Sequence, residues 1–178
     1  SLDRVGKSGA KFDFDKTRWF NQQYLRAKNK EELGRELQII LKENGVEAGD
    51  DFVTTVCEQL QERSTFTKDI WEEGKYYFEA PASYDETAIR NKWNEGASKY
   101  ILELKDRLAE LSDFSSENIE VEFKKHLEEN ELAMGKLLPV FRISLTGVAV
   151  GPPLFKIASL LGKKETIKRM ETALEKIK

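Results

Sequence analysis

The sequence predicts an all-α protein, with two small helical bundle domains in tandem behind a short irregular N-terminal lead-in. Apolar residues mostly recur at intervals of three and four rather than in alternation, which is the period of a helix. Capping side chains, glycines and prolines separate these periodic stretches, and no internal repeat or low-complexity run interrupts them. A length of 178 residues is enough for one or two small domains.

Four helices are expected in the first domain. Asp, Asn and Thr side chains accept hydrogen bonds from the free N–H groups of a first turn, and Asn–Gly ends a helix. On these signals the helices run from Asp13 or Asp15 to about Lys28, from about Asn29 to Asn44, from Asp50 to near Arg63, and from Thr67 to about Tyr77. The residue before Pro81 avoids helical dihedrals. We therefore place the domain boundary there, giving residues 1–81 and 82–178.

The second domain carries the strongest helical pattern. Ser83 and Glu86 have the spacing of a capping box, and apolar residues then recur as far as Leu111, which predicts one long helix of roughly 25 residues. Further helices are expected from Ser115 or Ser116, from about Met134 to Leu145, from the end of an irregular segment at 146–153 to Gly162, and from about Lys163 onward. Each has a single apolar stripe, so all of them must pack into bundles.

Composition and charge exclude several classes of protein. The 29 basic and 32 acidic side chains give a formal charge of −3, unlike a small basic DNA-binding domain. The two ends are nevertheless basic, since residues 1–42 carry ten basic and six acidic side chains and 131–178 carry nine and four. Residues 43–130 carry ten basic and 22 acidic side chains, which is typical of a solvated acidic face. The basic ends can attract phosphate.

The sequence also predicts a cytoplasmic setting without a membrane partner. It has neither a charged-then-apolar leader nor an apolar stretch of about 18 residues. A single cysteine, Cys57, excludes an intramolecular disulfide. With only one histidine, His126, a closed zinc site is not expected either.

No catalytic constellation is predicted. Cys57 lies on the apolar stripe of the third helix, where a small core residue is expected. His126 is consistent both with the edge of the core and with solvent. Adjacent carboxylates such as Glu128 and Glu129 point in different directions on a helix and do not form an acid/base pair. Since no glycine-rich phosphate loop or metal-ligand spacing occurs, we assign no catalytic or metal-binding residue.

Two segments, 18–26 and 141–155, are richer in binding chemistry. The second places Arg142 before a glycine turn and a rigid Gly–Pro–Pro. Such a loop holds backbone groups in a fixed geometry, which suits reading the edges of unstacked nucleotides. On the residues alone, a plain connection between two helices is the simpler interpretation.

These segments resemble the C-terminal third of bacterial glutamyl-tRNA synthetases. The similar stretches are KTRWFNQQYLR at 16–26, FRISLTG at 141–147, and GPPLF at 151–155 with LGK at 161–163. The likeness covers almost the entire chain, and the order and separation of the stretches also match. It implies a module that binds the anticodon stem-loop of glutamate tRNA. A linker ending at 1–12 would join it to the catalytic half of the parent chain.

The resemblance also implies what this chain lacks. In the family, the catalytic half attaches glutamate to tRNA with ATP and magnesium, using HIGH-like and KMSKS-like motifs. Neither motif occurs here. We therefore expect a monomeric binding module without a cofactor or an activity of its own, from a parent that is a glutamate–tRNA ligase.

Individual roles follow from the resemblance. Arg63 falls where discriminating family members carry the arginine that reads the third anticodon base, and Arg142 falls on a second arginine of the loop-reading surface. Gly151, Pro152 and Leu154 fall on the turn that contacts the bases. The family often has a threonine or another small residue where this chain has Gly151. Four basic residues are candidates for contacting the phosphate backbone without reading sequence: Arg26, Lys163, Lys164 and Lys168.

Two other functions remain open from the sequence. A helical protein-interaction module would use the acidic middle or an amphipathic groove to bind another protein. An independent helical enzyme would require a convergent polar pocket that the sequence does not indicate. Binding of RNA that depends on salt and on the anticodon separates the first of these from the tRNA-binding hypothesis.

Overall fold

The computed structural model describes residues 14–94 and 96–177, so the predicted linker at 1–12 lies outside the described residues. Within those ranges all regular secondary structure is helical, which confirms the predicted all-α class. The helices are α1 Phe14–Ala27, α2 Lys30–Glu43, α3 Asp50–Leu60, α4 Thr67–Phe78, α5 Glu86–Lys92, α6 Ala97–Glu110, α7 Ser116–Glu129, α8 Met134–Thr146 and α9 Leu154–Lys176.

The chain forms two compact units, one ending at Glu72 and the other beginning at Glu73. This division falls inside α4. The last part of α4 belongs with the second unit, where the carbonyl of Tyr76 accepts a hydrogen bond from Arg169 at 2.5 Å. The domain boundary expected after Pro81 stays a prediction.

In the first unit, α2 and α3 pack against each other through fully buried side chains. Asn29 starts α2 as predicted, because its side-chain oxygen accepts the N–H groups of Glu31 and Glu32 at 2.9 and 3.2 Å. Asn44 and Gly45 end α2, with Gly45 in the left-handed region at φ +74°. The shared core consists of Leu33, Leu37, Leu41, Val53, Val56, Cys57 and Leu60.

In the second unit, α6 to α9 form a helical bundle around one core. Ser115 caps α7 by accepting the N–H of Asn118, and Ile119, Phe123 and Leu127 of this helix are buried. The rings of Phe123 and Phe141 stack at its centre, with centroids 6.0 Å apart. The buried cluster includes Ile101, Leu104, Leu108, Ile119, Leu127, Val140, Leu145, Leu154, Ala158 and Met170.

The prediction of a single long helix after Ser83 is wrong, because the helix is interrupted between α5 and α6. Gly96 adopts φ +85°, a left-handed conformation that interrupts the helical ladder. The apolar period continues across the break, and for that reason periodicity alone missed it. The predicted capping box is also wrong: Asp85, not Ser83, caps α5 by accepting the N–H of Ala88 at 2.9 Å.

Cys57 and His126 are both core residues. Burial raises the pKa of the Cys57 thiol to about 12, so the thiolate does not form at neutral pH. His126 is also fully buried, and its two ring nitrogens lie 3.0 Å from the carbonyl oxygen of Tyr100 and 3.2 Å from the side-chain nitrogen of Asn130. Burial lowers the pKa of the imidazole. The sequence left open whether His126 borders the core or faces solvent, and the structure places it in the core.

Two features are absent from residues 14–94 and 96–177, the described part of the chain. Its His, Cys, Asp and Glu side chains include no group of three or more that could hold a metal ion. No helix within the same ranges has the length and apolarity needed to cross a bilayer.

Candidate nucleic-acid interface

The segment between α8 and α9 is a loop held at both ends. At its start, the hydroxyl of Thr146, the last residue of α8, donates to the Arg142 carbonyl at 2.9 Å. At its end, Pro152 and Leu154 are buried, and Leu154 belongs to the core. Between these ends Val150 is 75% exposed. Rigid ends and an exposed tip are what a loop needs in order to present backbone groups to a ligand.

Gly147 allows this loop to leave α8. Its φ is +77°, and a Cβ atom there would lie 2.7 Å from the carbonyl oxygen of Ser83 and 3.0 Å from the Pro81 side chain. The Gly147 carbonyl in turn accepts the N–H of Asp85 at 2.8 Å. Any side chain at this position would therefore push the loop away from the segment that starts α5.

The Arg142 side chain, on the last part of α8, reaches Gly151 in this loop. A Cβ atom built on Gly151 would be 2.9 Å from Nη1 of Arg142 and 3.5 Å from the hydroxyl of Tyr76. The guanidinium therefore occupies the space that a side chain at 151 would take. Because Arg142 is half-buried, its guanidinium is partly desolvated, and a hydrogen bond from it to a ligand is stronger than one made in bulk water.

Arg169 is an organising residue that the sequence analysis missed. It is only 3% exposed, and its Nη1 donates to the carbonyls of Tyr76 and Leu145 at 2.5 and 3.0 Å. Its Nε donates to Glu165 at 2.7 Å. The signal was present, because Arg169 shares the helical stripe of Thr166, Met170 and Ala173, all of which are buried.

Arg63 lies in the turn after α3, in the first unit. Its side chain is exposed and has no hydrogen bond or ion pair within the described ranges. Its backbone N–H donates to the Leu60 carbonyl at 3.0 Å. The helix predicted to end near Arg63 ends at Leu60. Arg63 is thus a guanidinium available to a ligand on a turn of fixed geometry.

The four phosphate-contact candidates have different environments. Lys164 and Lys168 are exposed, with no side-chain partner among the described residues. The ammonium of Lys163 instead donates to the carbonyls of Ala109 and Leu111 at 3.1 and 2.5 Å, at the end of α6. An ammonium that donates to two carbonyls keeps one of its three N–H groups for another acceptor, so the phosphate contact of Lys163 stays a prediction. Arg26 is exposed and binds a backbone carbonyl in the first unit.

Helix α9 bends at the place where the sequence predicts two helices. Gly162 has φ +79° and ψ 161°, so the segment has a helix on either side of it. The predicted stop at Gly162 is therefore confirmed. The exposed Lys164 and Lys168 lie on the second part of α9, after this break.

The structure therefore brings together some of the predicted site residues and gives others a supporting position. The Arg142 guanidinium occupies the space beside Gly151, and Pro152 and Leu154 anchor the turn. Because the Leu154 side chain is in the core, only its backbone is available to a ligand. Arg63 belongs to the other unit.

Comparison with known proteins identifies the family to which this chain is similar. The family model described as "Anticodon binding domain" matches residues 22–174. A glutamate–tRNA ligase of Phocaeicola vulgatus is 42% identical over 177 residues, which are 99% of this chain and 35% of that protein. One from Flavobacterium psychrophilum is also 42% identical, over 97% of this chain and 34% of that protein. The chain thus spans about a third of the length of these relatives.

A solved structure leads to the same family. The crystal structure of a glutamate tRNA ligase from Elizabethkingia meningosepticum, in complex with its amino acid, is 37% identical and superposes with a TM-score of 0.90. The match covers 100% of this chain and 35% of the other.

Proposed function

The chain belongs to the anticodon-binding domain family, and from this we propose that it is the tRNA-reading part of a glutamate–tRNA ligase. The observation that carries the proposal is the pair of Arg142 and Gly151, a guanidinium packed against a side-chain-free turn between a rigid helix end and a buried anchor. Such a surface suits the unstacked bases of a tRNA loop better than a folded protein partner.

Arg63 supplies the specificity in this proposal. A guanidinium donates two hydrogen bonds in parallel, and the Watson–Crick edge of cytosine offers two acceptors. Guanine at the same position presents donors, which oppose the guanidinium. The glutamate anticodon ends in C and the glutamine anticodon ends in G, so a guanidinium at this position favours glutamate tRNA.

The remaining contacts and the parent's chemistry complete the proposal. Lys164 and Lys168 are exposed and free to contact phosphates, which positions the RNA without reading its sequence. The chemical step belongs to the rest of the parent protein, a cytoplasmic glutamate–tRNA ligase using ATP and magnesium. This chain, as a monomer, contributes the choice of tRNA.

The proposal is tested by binding of the 178-residue chain to two anticodon stem-loops that differ only in the third anticodon base, C or G. We expect tighter binding of the C form at both low and moderate salt. Equal binding that disappears with salt would reduce the function to phosphate attraction and reject base reading. If neither stem-loop binds, the protein-interaction alternative becomes the better explanation.

Gly151→Ala tests the loop separately. The new Cβ, 2.9 Å from Nη1 of Arg142, displaces the guanidinium, because the end of a flexible side chain moves more easily than the backbone. We expect the affinity for the C stem-loop to fall about threefold to tenfold, part of the value of a charged hydrogen bond, with an unchanged melting temperature. Titration followed by fluorescence anisotropy measures the change.

The control for this variant is Gly135→Ala. Gly135 lies in the first turn of α8, and a Cβ atom there meets nothing within 4 Å. Its affinity should equal that of the unmodified chain. If Gly151→Ala also bound normally, the contact between Arg142 and the turn would have no part in RNA binding.

A further inference from the structure

The end of α3 is held by a side chain from α1. Nε and Nη2 of Arg26 both donate to the carbonyl oxygen of Glu62, at 3.0 and 2.7 Å. The last carbonyls of a helix have no partner within the helix, so a cation that binds a carbonyl just past its end both satisfies a hydrogen bond and opposes the helix dipole. Glu62 immediately precedes Arg63.

The end of α1 is held in return by a side chain from the end of α3. The side-chain amide of Gln61 donates to the carbonyls of Leu25 and Lys28, both at 2.8 Å. Gln61 and Glu62 are neighbours in sequence, and so are Leu25 and Arg26. The two helix ends therefore bind each other through a pair of reciprocal contacts, which we call the α1–α3 clasp (Arg26, Gln61 and the carbonyls they bind).

The clasp fixes the backbone on which Arg63 stands. On the other side of Arg63, Ser64 is buried, and both its N–H and its hydroxyl donate to the Leu60 carbonyl, at 3.1 and 3.0 Å. Arg63 is thus held between Gln61 and Glu62 on one side and Ser64 on the other, while its own side chain is exposed. Because the backbone at Arg63 is already fixed, only its side chain has to be immobilised when the guanidinium reads a base.

We propose that Arg26 and Gln61 are positioning residues for Arg63: the α1–α3 clasp sets the direction from which its guanidinium reaches the third anticodon base. This inference rests on the proposed function of Arg63. It gives Arg26 a role different from the phosphate contact suggested by the sequence, because its guanidinium already binds the Glu62 carbonyl through two nitrogens.

Arg26→Lys distinguishes a positioning role from a phosphate contact, because lysine keeps the positive charge but lacks the planar guanidinium that donates through two nitrogens. If Arg26 positions Arg63, the preference for the C over the G stem-loop should fall about threefold to tenfold, with an unchanged salt dependence. Gln61→Met, which removes the amide at similar volume, should lower the preference in the same way. Arg35→Lys is the control, since Arg35 is exposed on α2 and has no side-chain partner among the described residues.

A double-mutant cycle tests whether Arg26 acts through Arg63. In chains that already carry Arg63→Gln, Arg26→Lys should leave the ratio of the affinities for the C and G stem-loops unchanged. If Arg26→Lys lowered the preference for the C stem-loop by the same factor in chains with Arg63 and in chains with Arg63→Gln, the inference would be overturned. So would an equal loss of affinity for both stem-loops accompanied by a smaller salt dependence, since that is the behaviour of a phosphate contact.

Amide hydrogen exchange tests the clasp without RNA. The N–H groups of Arg63 and Ser64 should exchange faster in Arg26→Lys and Gln61→Met than in the unmodified chain, while amides in the middle of α2 stay protected. Unchanged exchange at both positions would overturn the inference.

The two proposals fail in different ways. An unchanged C preference in Arg63→Gln would reject the role of Arg63 and this inference with it. An unchanged preference in Arg26→Lys and Gln61→Met, with a lost preference in Arg63→Gln, would reject only the inference.

Discussion

Arg63→Gln is expected to reduce the preference for the C stem-loop over the G stem-loop by about tenfold to a hundredfold. That range corresponds to the roughly 1 to 3 kcal/mol that an unsatisfied buried hydrogen-bonding group costs, here the arginine donors facing guanine. Glutamine donates and accepts hydrogen bonds, so it satisfies either base and loses the discrimination. The ratio of the two dissociation constants, measured at a single salt concentration, reports the effect.

The fold should be unaffected by this change. The Arg63 side chain is exposed and contacts no described residue through a hydrogen bond or ion pair, so its removal leaves nothing unsatisfied inside the protein. The helical circular dichroism spectrum and the melting temperature should match those of the unmodified chain. An unchanged ratio in a normally folded variant would mean that another residue reads the third base.

The sequence predicted those parts of the fold that local chemistry determines. Asn29 and Ser115 cap helices because a short polar side chain reaches its own first turn, whatever surrounds it. The predicted long helix failed at Gly96 because the apolar stripe continues on both sides of the break. Period alone does not distinguish one helix from two helices that share a core.

The candidate site divides in a similar way. The resemblance placed Arg142 on the loop-reading surface and Gly151 on the turn, and the structure adds that the Arg142 guanidinium fills the space a side chain at 151 would take. The sequence predicts that Lys163 and Arg26 are surface cations. In the structure, both bind backbone carbonyls near the ends of helices that are distant in sequence. Such contacts join residues between 36 and 54 positions apart, and only the folded chain shows them.

Arg169→Met is expected to lower the free energy of unfolding of the second unit by about 3 kcal/mol. Methionine fills much of the space of the arginine stem but donates nothing, so the carbonyls of Tyr76 and Leu145 lose a charged donor in a buried place. Each buried group left unsatisfied costs about 1 to 3 kcal/mol. Glu165 also loses its partner, but its side chain is 34% exposed and water compensates for part of that loss.

Lys168→Met is the matched control, because Lys168 is the neighbouring residue and is exposed. Its effect should stay within about 0.5 kcal/mol. Urea unfolding followed by circular dichroism gives both values. Since the Leu145 carbonyl lies at the end of α8, next to the loop that carries Gly151, Arg169→Met should also weaken binding of the C and G stem-loops equally. A variant as stable as the unmodified chain would mean that these carbonyls find other donors and that Arg169 does not organise the loop.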